Sequence, residues 1–143
     1  MDAESTLQQV PLFQRLQAKQ VKNLARWATT RNYQPEQVIV REGQIGLGLY
    51  CIQRGKVRVS VRGATDERGI REMGPGESFG EISLLDDQPR SATITAIEPT
   101  TAVLLDKAQF LAELKTYPEM ALAILPVLTG WLREANARIA ELS

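Results

Sequence analysis

The sequence predicts an α+β fold: an antiparallel β-roll of the double-stranded jelly-roll type, flanked by N-terminal helices and a C-terminal helix. Apolar residues recur at helical spacing before residue 30 and again after Leu105. Between these regions lie short segments with period-two alternation, separated by glycines, which is typical of a roll or barrel. Because 143 residues suffice for one core, we treat the chain as a single domain. Its predicted parts are helices at about 5–29, the roll at about 33–105 and C-terminal helices at about 107–142.

Two helices are predicted in the N-terminal region, at residues 5–13 and 17–29. In the second, Val21 and Leu24 belong to an apolar repeat at helical spacing that would form one buried stripe. Trp27 lies beside this stripe, which favours a packing role.

The middle of the chain contains a series of predicted short strands. In residues 57–61, valines alternate with arginine and serine, as on a half-buried strand. Several glycines follow the first strand, residues 63–68 form a polar connection, and Gly74-Pro75-Gly76 predicts a tight turn. The predicted strands cover residues 38–40, 49–53, 57–61, 92–96 and 101–105.

Helical patterns return in the C-terminal part. Asp106, with Gln109 three residues later, is typical of a helix N-cap with its capping-box partner. Pro118 fits the first turn of the last helical stretch, whereas Pro126 lies inside that stretch and predicts a kink or break.

An apolar repeat near the C-terminus has two interpretations. It forms either the seam of a coiled-coil homodimer or a lid that packs on the roll of its own chain. The alternating spacing of four and three residues favours the dimer. The repeat consists of Leu128, Leu132, Ala135, Ile139 and Leu142.

Composition excludes several classes of function. Lys plus Arg and Asp plus Glu both count 17, and a free-standing nucleic-acid binder usually has a basic excess. The absence of histidine removes histidine-based triads and His-ligated haem, and no nucleophile is paired with a base, so we predict no enzyme and no cofactor. Cys51 is the single cysteine and lies in an apolar run, which predicts a buried hydrophobe. No signal peptide or membrane-spanning stretch is evident, which predicts a cytoplasmic protein without a membrane partner.

The candidate ligand site is the stretch 79–93. Gly80 allows backbone to approach a ligand closely, and residues 81–85 can form one helical turn whose free N–H groups favour an anion. Arg90 adds a planar donor fork and Ser91 a hydroxyl donor for phosphate oxygens, while Glu81 suits a ribose hydroxyl. Phosphate donors beside a ribose acceptor point to a nucleotide with few negative charges, since no triphosphate-binding Gly-Lys loop is present.

This stretch resembles the phosphate-binding cassette of the cyclic nucleotide-binding domain family, which includes bacterial catabolite activators. The family pattern is matched by Phe-Gly-Glu-Ile-Ser-Leu at 79–84 and by Arg-Ser-Ala at 90–92. The resemblance continues upstream in Arg-Glu-Gly at 41–43, Leu-Tyr at 49–50, Gly-Lys-Val at 55–57 and Gly-Pro-Gly at 74–76, and covers nearly the whole chain.

The resemblance implies a role for each residue of the cassette. Glu81 would accept from the ribose 2′-hydroxyl, and Arg90 would pair with the cyclic phosphate. The N–H groups of Ile82 and Ser83 and the Ser91 hydroxyl would complete the phosphate cage. The full set of implied ligand-binding residues is Gly80, Glu81, Ile82, Ser83, Arg90, Ser91, Ala92 and Asn136.

Two departures from the family pattern affect this implication. Members often carry Gly-Asp where this chain has Gly46-Leu47-Gly48. The helix position that often presents threonine to the base is Ala135 here, so the base contact would pass through Asn136.

We therefore predict a cyclic nucleotide sensor, for cyclic AMP first and with cyclic GMP possible, whose C-terminal helix moves when ligand binds. The alternative is a ligand-independent interaction or dimerisation module, in which Arg90 forms an ion pair with Glu81 or Asp86 and Glu81 caps a short helix. Since catabolite activators carry their DNA reader beyond the last helix, we expect no nucleic-acid binding by this chain alone. Whether it acts alone or as part of a larger regulator or channel stays open.

Overall fold

The computed structural model describes residues 2–63 and 70–142 of the chain. The described helices are α1 (Ala3–Gln8), a 3₁₀ turn (Pro11–Phe13), α2 (Ala18–Ala25), a second 3₁₀ turn (Ile82–Leu84), α3 (Lys107–Thr116) and α4 (Glu119–Leu142). The described strands are β1 (Thr29–Tyr33), β2 (Val38–Val40), β3 (Gly48–Arg54), β4 (Val57–Ser60), β5 (Ile70–Met73), β6 (Ser78–Phe79), β7 (Thr93–Ala96) and β8 (Thr100–Asp106). No described helix combines the length and hydrophobicity that a bilayer crossing requires.

These strands form two antiparallel four-stranded sheets, in the orders β1-β8-β3-β6 and β2-β7-β4-β5. The predicted β-roll flanked by helices is thus confirmed. The five strands predicted from alternation correspond to β2, β3, β4, β7 and β8. In β4 the valines are buried and Arg58 and Ser60 are half-buried, as the period-two pattern predicts.

The helix predicted at 17–29 was too long at its C-terminal end. Helix α2 ends at Ala25, and Thr29 already begins β1, which pairs with β8 from Thr29↔Leu104 to Tyr33↔Thr100. Threonine and tyrosine favour strands, and pairing with β8, about 70 residues further along the chain, makes this segment a strand. The spacing of apolar residues within the segment carries no information about such a distant partner. The first helical region is also divided, since α1 ends at Gln8 before the 3₁₀ turn.

The turn predicted at Gly74-Pro75-Gly76 is confirmed. Gly76 has a φ of +87°, and the N–H of Glu77 donates to the carbonyl of Gly74 at 3.1 Å, which closes the turn. Most of the polar connection predicted at 63–68 lies outside the described residues.

The core consists of two clusters of buried side chains. One lies between the helices and the sheet that contains β3 and β8, and in it the ring centres of Phe13 and Phe110 are 5.8 Å apart. The other fills the roll and includes Val59, Met73 and Ile94. Cys51 is buried in the first cluster, and burial raises the pKa of its thiol to about 12, so it is a packing residue as predicted.

The C-terminal helices begin as predicted, but α4 does not break. Asp106 caps α3 by accepting from the N–H of Gln109 at 3.3 Å. Pro126 lies inside one continuous helix, so the break is not found, while the kink that the sequence equally allows stays a prediction. A proline removes one helical hydrogen bond, but here Ile124 and Val127 are buried on either side of it, and this burial stabilises the helix through Pro126.

The apolar repeat of α4 is divided between two environments. Leu128 packs against the first core cluster, so it belongs to the chain's own core rather than to a seam. From Leu132 to Leu142 the helix is exposed, with Leu132 and Ile139 each about three-fifths exposed. This part of α4 is therefore not a lid on the roll of its own chain.

Candidate functional site

A cavity of about 610 Å³ opens between the roll, the 79–92 segment and α4. Its volume lies within the range of small-molecule sites. Seven of the eight residues implied by the sequence line it or its rim; Asn136 does not. The lining comprises Val40, Val59, Arg71, Met73, Ser78, Phe79, Gly80, Glu81, Ile82, Ser83, Asp86, Gln88, Pro89, Arg90, Ser91, Ala92, Ile94 and Trp131.

The floor of the cavity is a single helical turn, as predicted for residues 81–85. It forms a 3₁₀ turn at Ile82–Leu84, in which the N–H of Leu85 donates to the carbonyl of Ile82 at 2.9 Å. Leu84 is fully buried and anchors the turn to the core. The first N–H groups of such a turn have no partner within it, so they are available to a ligand.

Arg90 is held by two neutral groups. Its Nη2 donates to the carbonyl of Gly48 at 2.8 Å, and its guanidinium carbon lies 5.8 Å from the centre of the Tyr50 ring. Tyr50 in turn stacks on Phe79, with ring centres 5.0 Å apart and planes 9° from parallel. The guanidinium is thereby oriented by a carbonyl and a ring, neither of which cancels its charge.

No carboxylate among the described residues lies within ion-pair distance of Arg90. The alternative of an ion pair with Glu81 or Asp86 is therefore absent from this structure. Burial lowers the pKa of Arg90 from its ordinary value, because a half-buried guanidinium loses hydration, although arginine stays charged at neutral pH. The site thus presents an uncompensated, partly dehydrated cation.

Two glycines make room for this guanidinium. Gly80 has a φ of +88°, and a Cβ there would meet the Arg90 guanidinium and lie 2.5 Å from the carbonyl oxygen of Gly48. A Cβ on Gly46 would lie 2.7 Å from the Cβ of Ser83 and 2.8 Å from Nε of Arg90. In the sequence, Gly46 belongs only to a departure from the family pattern; the structure shows that it packs closely against Arg90 and Ser83.

Glu81 lines the same cavity as a half-buried carboxylate. Ser78 donates to its Oε1 at 2.8 Å, and burial raises the pKa of the carboxyl despite the opposing effect of this hydrogen bond. Its side chain makes no capping bond to the 3₁₀ turn, so the alternative role of a helix cap is not realised. Glu81 is thus an acceptor placed in the cavity.

The segment that carries Arg90 is fixed from both sides. The N–H of Gly43 donates to the carbonyl of Arg90 at 2.9 Å, and the N–H of Arg90 donates to the carbonyl of Gln44 at 2.7 Å. On the other side, Lys107 Nζ donates to the carbonyl of Asp86 and pairs with the Asp87 carboxylate. Ser91 and Ala92 follow Arg90 directly along the cavity wall.

The cavity lining also contains two residues, Trp131 and Arg71, that are not among the ligand-binding residues implied by the sequence. Trp131 of α4 lines the cavity and also packs against the first core cluster. Arg71 of β5 lines the cavity as a second cation. Asn136, five residues beyond Trp131, is exposed on α4, so its role as a base contact stays a prediction.

Comparison with known proteins agrees with this geometry. The family model described as "Cyclic nucleotide-binding domain" matches residues 30–117. The chain is 35% identical to the cyclic AMP receptor protein of Thermus thermophilus over 93% of its own length and 62% of that protein. It is 40% identical to a cGMP-dependent protein kinase of Eimeria tenella over 71% of its own length, but spans only 10% of the kinase.

Solved structures of regulators share the fold of this chain. The N-terminal domain of a transcriptional regulator from Streptomyces coelicolor A3(2) superposes with a TM-score of 0.80 at 30% identity, covering 92% of this chain and 95% of that one. The catabolite activator protein of Thermus thermophilus gives 0.71 at 33% identity, covering 93% of this chain and 63% of that one. The chain therefore corresponds to part of the longer relatives.

Proposed function

We propose that this chain, which belongs to the cyclic nucleotide-binding domain family, binds cyclic AMP in the Arg90 cavity and acts as a sensor rather than an enzyme. One observation carries the proposal. The half-buried Arg90 guanidinium is oriented by the Gly48 carbonyl and the Tyr50 ring, while no described carboxylate neutralises it. A cation held in this way at a cavity wall favours a small anion.

The arrangement suits a cyclic phosphodiester. Arg90 would donate to the phosphate oxygens, with the Ser91 hydroxyl and the first N–H groups of the 3₁₀ turn as further donors. A cyclic phosphodiester carries one negative charge, which one guanidinium balances. The open phosphate of linear AMP carries a larger charge and is bulkier.

The rest of the ligand would extend from this end. Glu81 is an acceptor-only group when ionised and suits the ribose 2′-hydroxyl. The apolar wall that includes Val59, Met73 and Trp131 suits a purine ring. The choice of cyclic AMP is supported by the Arg-Ser-Ala sequence at 90–92 and by the cyclic AMP receptor relative.

Ligand binding would be transmitted through α4. Trp131 belongs both to the cavity wall and to the helix, so the preferred position of α4 depends on whether the cavity is filled. Such a switch requires that the nucleotide binds the chain more tightly when α4 is in one position than when it is in the other.

We further propose that the exposed face of α4 with Leu132 and Ile139 pairs with a second copy of the chain.

Thermal unfolding with matched concentrations of cyclic AMP, cyclic GMP and linear AMP tests the proposal. A ligand at a hundredfold its dissociation constant stabilises the folded chain by about 2.7 kcal/mol, which raises the Tm by several degrees. We expect this rise with cyclic AMP and a much smaller one with linear AMP. A ligand-independent interaction module would give no shift with any of the three, and that result would overturn the proposal.

A further inference from the structure

Asp86 adds a second carboxylate to the cavity lining, and the phosphate and ribose contacts described above do not involve it. It lies one turn beyond Ile82, because its N–H donates to the carbonyl of Ile82 at 3.2 Å. One turn of helix rises by about 5–6 Å. The N–H of Ile82 is among the proposed phosphate donors, so Asp86 belongs to the phosphate end of the cavity.

The Asp86 side chain is held by its own segment. Its Oδ1 accepts from the N–H of Gln88 at 3.2 Å, and its main-chain carbonyl accepts from Nζ of Lys107. Asp86 is half-buried, whereas the next residue, Asp87, is exposed and does not line the cavity. The two adjacent acids therefore differ in their relation to the ligand site.

The negative charge of the Asp86 carboxylate is not compensated by an ion pair. Lys107 pairs with Asp87, and no cation among the described residues lies within ion-pair distance of the Asp86 carboxylate. Arg90 therefore shares its end of the cavity with a fixed negative charge. The charged side chains that line the cavity are Arg71, Glu81, Asp86 and Arg90.

A fixed negative charge repels a phosphate in proportion to the charge that the phosphate carries. A separation of about one helical turn is shorter than the screening length of about 8 Å at physiological ionic strength. A cyclic phosphodiester carries one negative charge, whereas a phosphomonoester carries close to two at neutral pH, since its second pKa is about 6. The repulsion by Asp86 is therefore about twice as large for a monoester as for a cyclic diester.

Resting on the proposed function, we infer that Asp86 sets the charge selectivity of the cavity, rejecting the doubly charged phosphate of linear AMP while admitting the singly charged phosphate of cyclic AMP. Arg90 attracts both phosphates, and it attracts the doubly charged one more strongly. Attraction by Arg90 alone would therefore favour linear AMP. Repulsion by Asp86 offsets this preference.

Competition binding to the whole chain tests this inference, with linear AMP or cyclic AMP displacing a fluorescent cyclic AMP analogue. At pH 8 we expect Asp86→Asn to tighten linear AMP by about four- to tenfold and cyclic AMP by about two- to threefold. The preference for cyclic AMP should fall accordingly. Asparagine keeps an acceptor for the N–H of Gln88, so the segment retains its hydrogen bond.

Two further variants serve as controls. Asp86→Glu keeps the negative charge and should keep the wild-type preference for cyclic AMP. Glu98→Gln removes an acid at an exposed position outside the cavity and should keep it as well.

The dependence on pH distinguishes repulsion from a structural effect of the substitution. At pH 5 the AMP monoester carries close to one charge, so the gain of linear AMP in Asp86→Asn should fall to the two- to threefold expected for cyclic AMP. Arg71 and Arg90 stay charged over this range. Glu81 is common to wild type and variant, so its protonation does not alter this comparison.

The outcomes separate the inference from the proposed function. Failure of the wild-type chain to bind cyclic AMP would overturn the proposed function and the inference with it. If cyclic AMP binds, an unchanged ratio of the two affinities in Asp86→Asn would overturn only the inference, and so would linear AMP that binds neither protein. A change of the same size in Glu98→Gln would also overturn it, because selectivity would then follow the net charge of the chain.

Discussion

At the scale of single residues, the Arg90 guanidinium is oriented by groups that do not neutralise its charge. A carboxylate beside Arg90 would fix the guanidinium but offset its positive charge. The Gly48 carbonyl and the Tyr50 ring fix it while leaving most of that charge for a ligand. Gly46 and Gly80 are part of the same arrangement, because a side chain at either position would collide with Arg90 or its neighbours.

Glu81 allows a prediction on pH. Burial raises the pKa of Glu81 in the folded chain, so ionisation is less favourable there than in the unfolded chain. The free energy of unfolding therefore falls as pH rises from the unfolded pKa through the raised folded pKa. Glutamine does not titrate and avoids this loss. We expect Glu81→Gln to gain in Tm relative to wild type between pH 5 and pH 8, measured by thermal unfolding without ligand.

The same variant is expected to bind cyclic AMP several-fold more weakly at pH 8, because the ribose hydroxyl loses a charged acceptor. Glu98→Gln, at an exposed position outside the cavity, is the control for the loss of one charge. A Tm difference that is the same at both pH values would show that Glu81 does not titrate as its burial requires.

Residues of the site differ in how well the sequence predicts them. Glu81, Arg90 and Ser91 lie within eleven consecutive positions, so their chemical types can be read together along the chain. Tyr50 and Arg71 reach the site only through strand pairing and the packing of the two sheets. A local pattern carries no information on such contacts. The role of Gly46 depends likewise on where Arg90 lies in space.

At the scale of elements, apolar runs and period-two alternation predicted five strands and missed β1, β5 and β6. β6 has only two residues, too few to show a period, and β1 is exposed at four of its five positions. For β5 the sequence offers a four-residue segment with two charges, Ile-Arg-Glu-Met, because Arg71 lines the cavity and Glu72 pairs with Lys56. These strands are defined by their partners rather than by their own sequence.

The exposed apolar face of helix α4 allows a prediction about the oligomeric state of the chain. Its exposed apolar face should pair with a second chain, so Leu132→Glu with Ile139→Glu should convert a dimer to a monomer, because the charges would be buried in the seam. Analytical ultracentrifugation at micromolar concentration measures this change. Ala137→Glu adds a single acid at an exposed position that is neither three nor four residues from Leu132, Ile139 or the other members of that face, so it should leave the dimer intact. A monomeric wild-type chain, or a double variant that still dimerises, contradicts the pairing.

At the scale of the whole molecule, a chain of zero net charge places two arginines and two carboxylates around one cavity, and neither carboxylate forms an ion pair with Arg90. The second core cluster makes the roll a rigid scaffold, and the first joins the helices to the β3–β8 sheet. Trp131 connects α4 to the cavity, so one residue links the ligand site to the element that would respond. A rigid site connected to a helix with an exposed end is what a ligand-dependent switch requires.

The central claim is that Arg90 binds the phosphate of a cyclic nucleotide, and calorimetric titration of cyclic AMP into wild type and Arg90→Ala tests it most directly. We expect the substitution to weaken binding by about 2–5 kcal/mol, since a buried phosphate would lose the cation that pairs with it. Arg58→Ala, which removes a cation outside the cavity wall, should bind as wild type does. If Arg90→Ala, folded as judged by its thermal transition, bound cyclic AMP with wild-type affinity, the account would be contradicted.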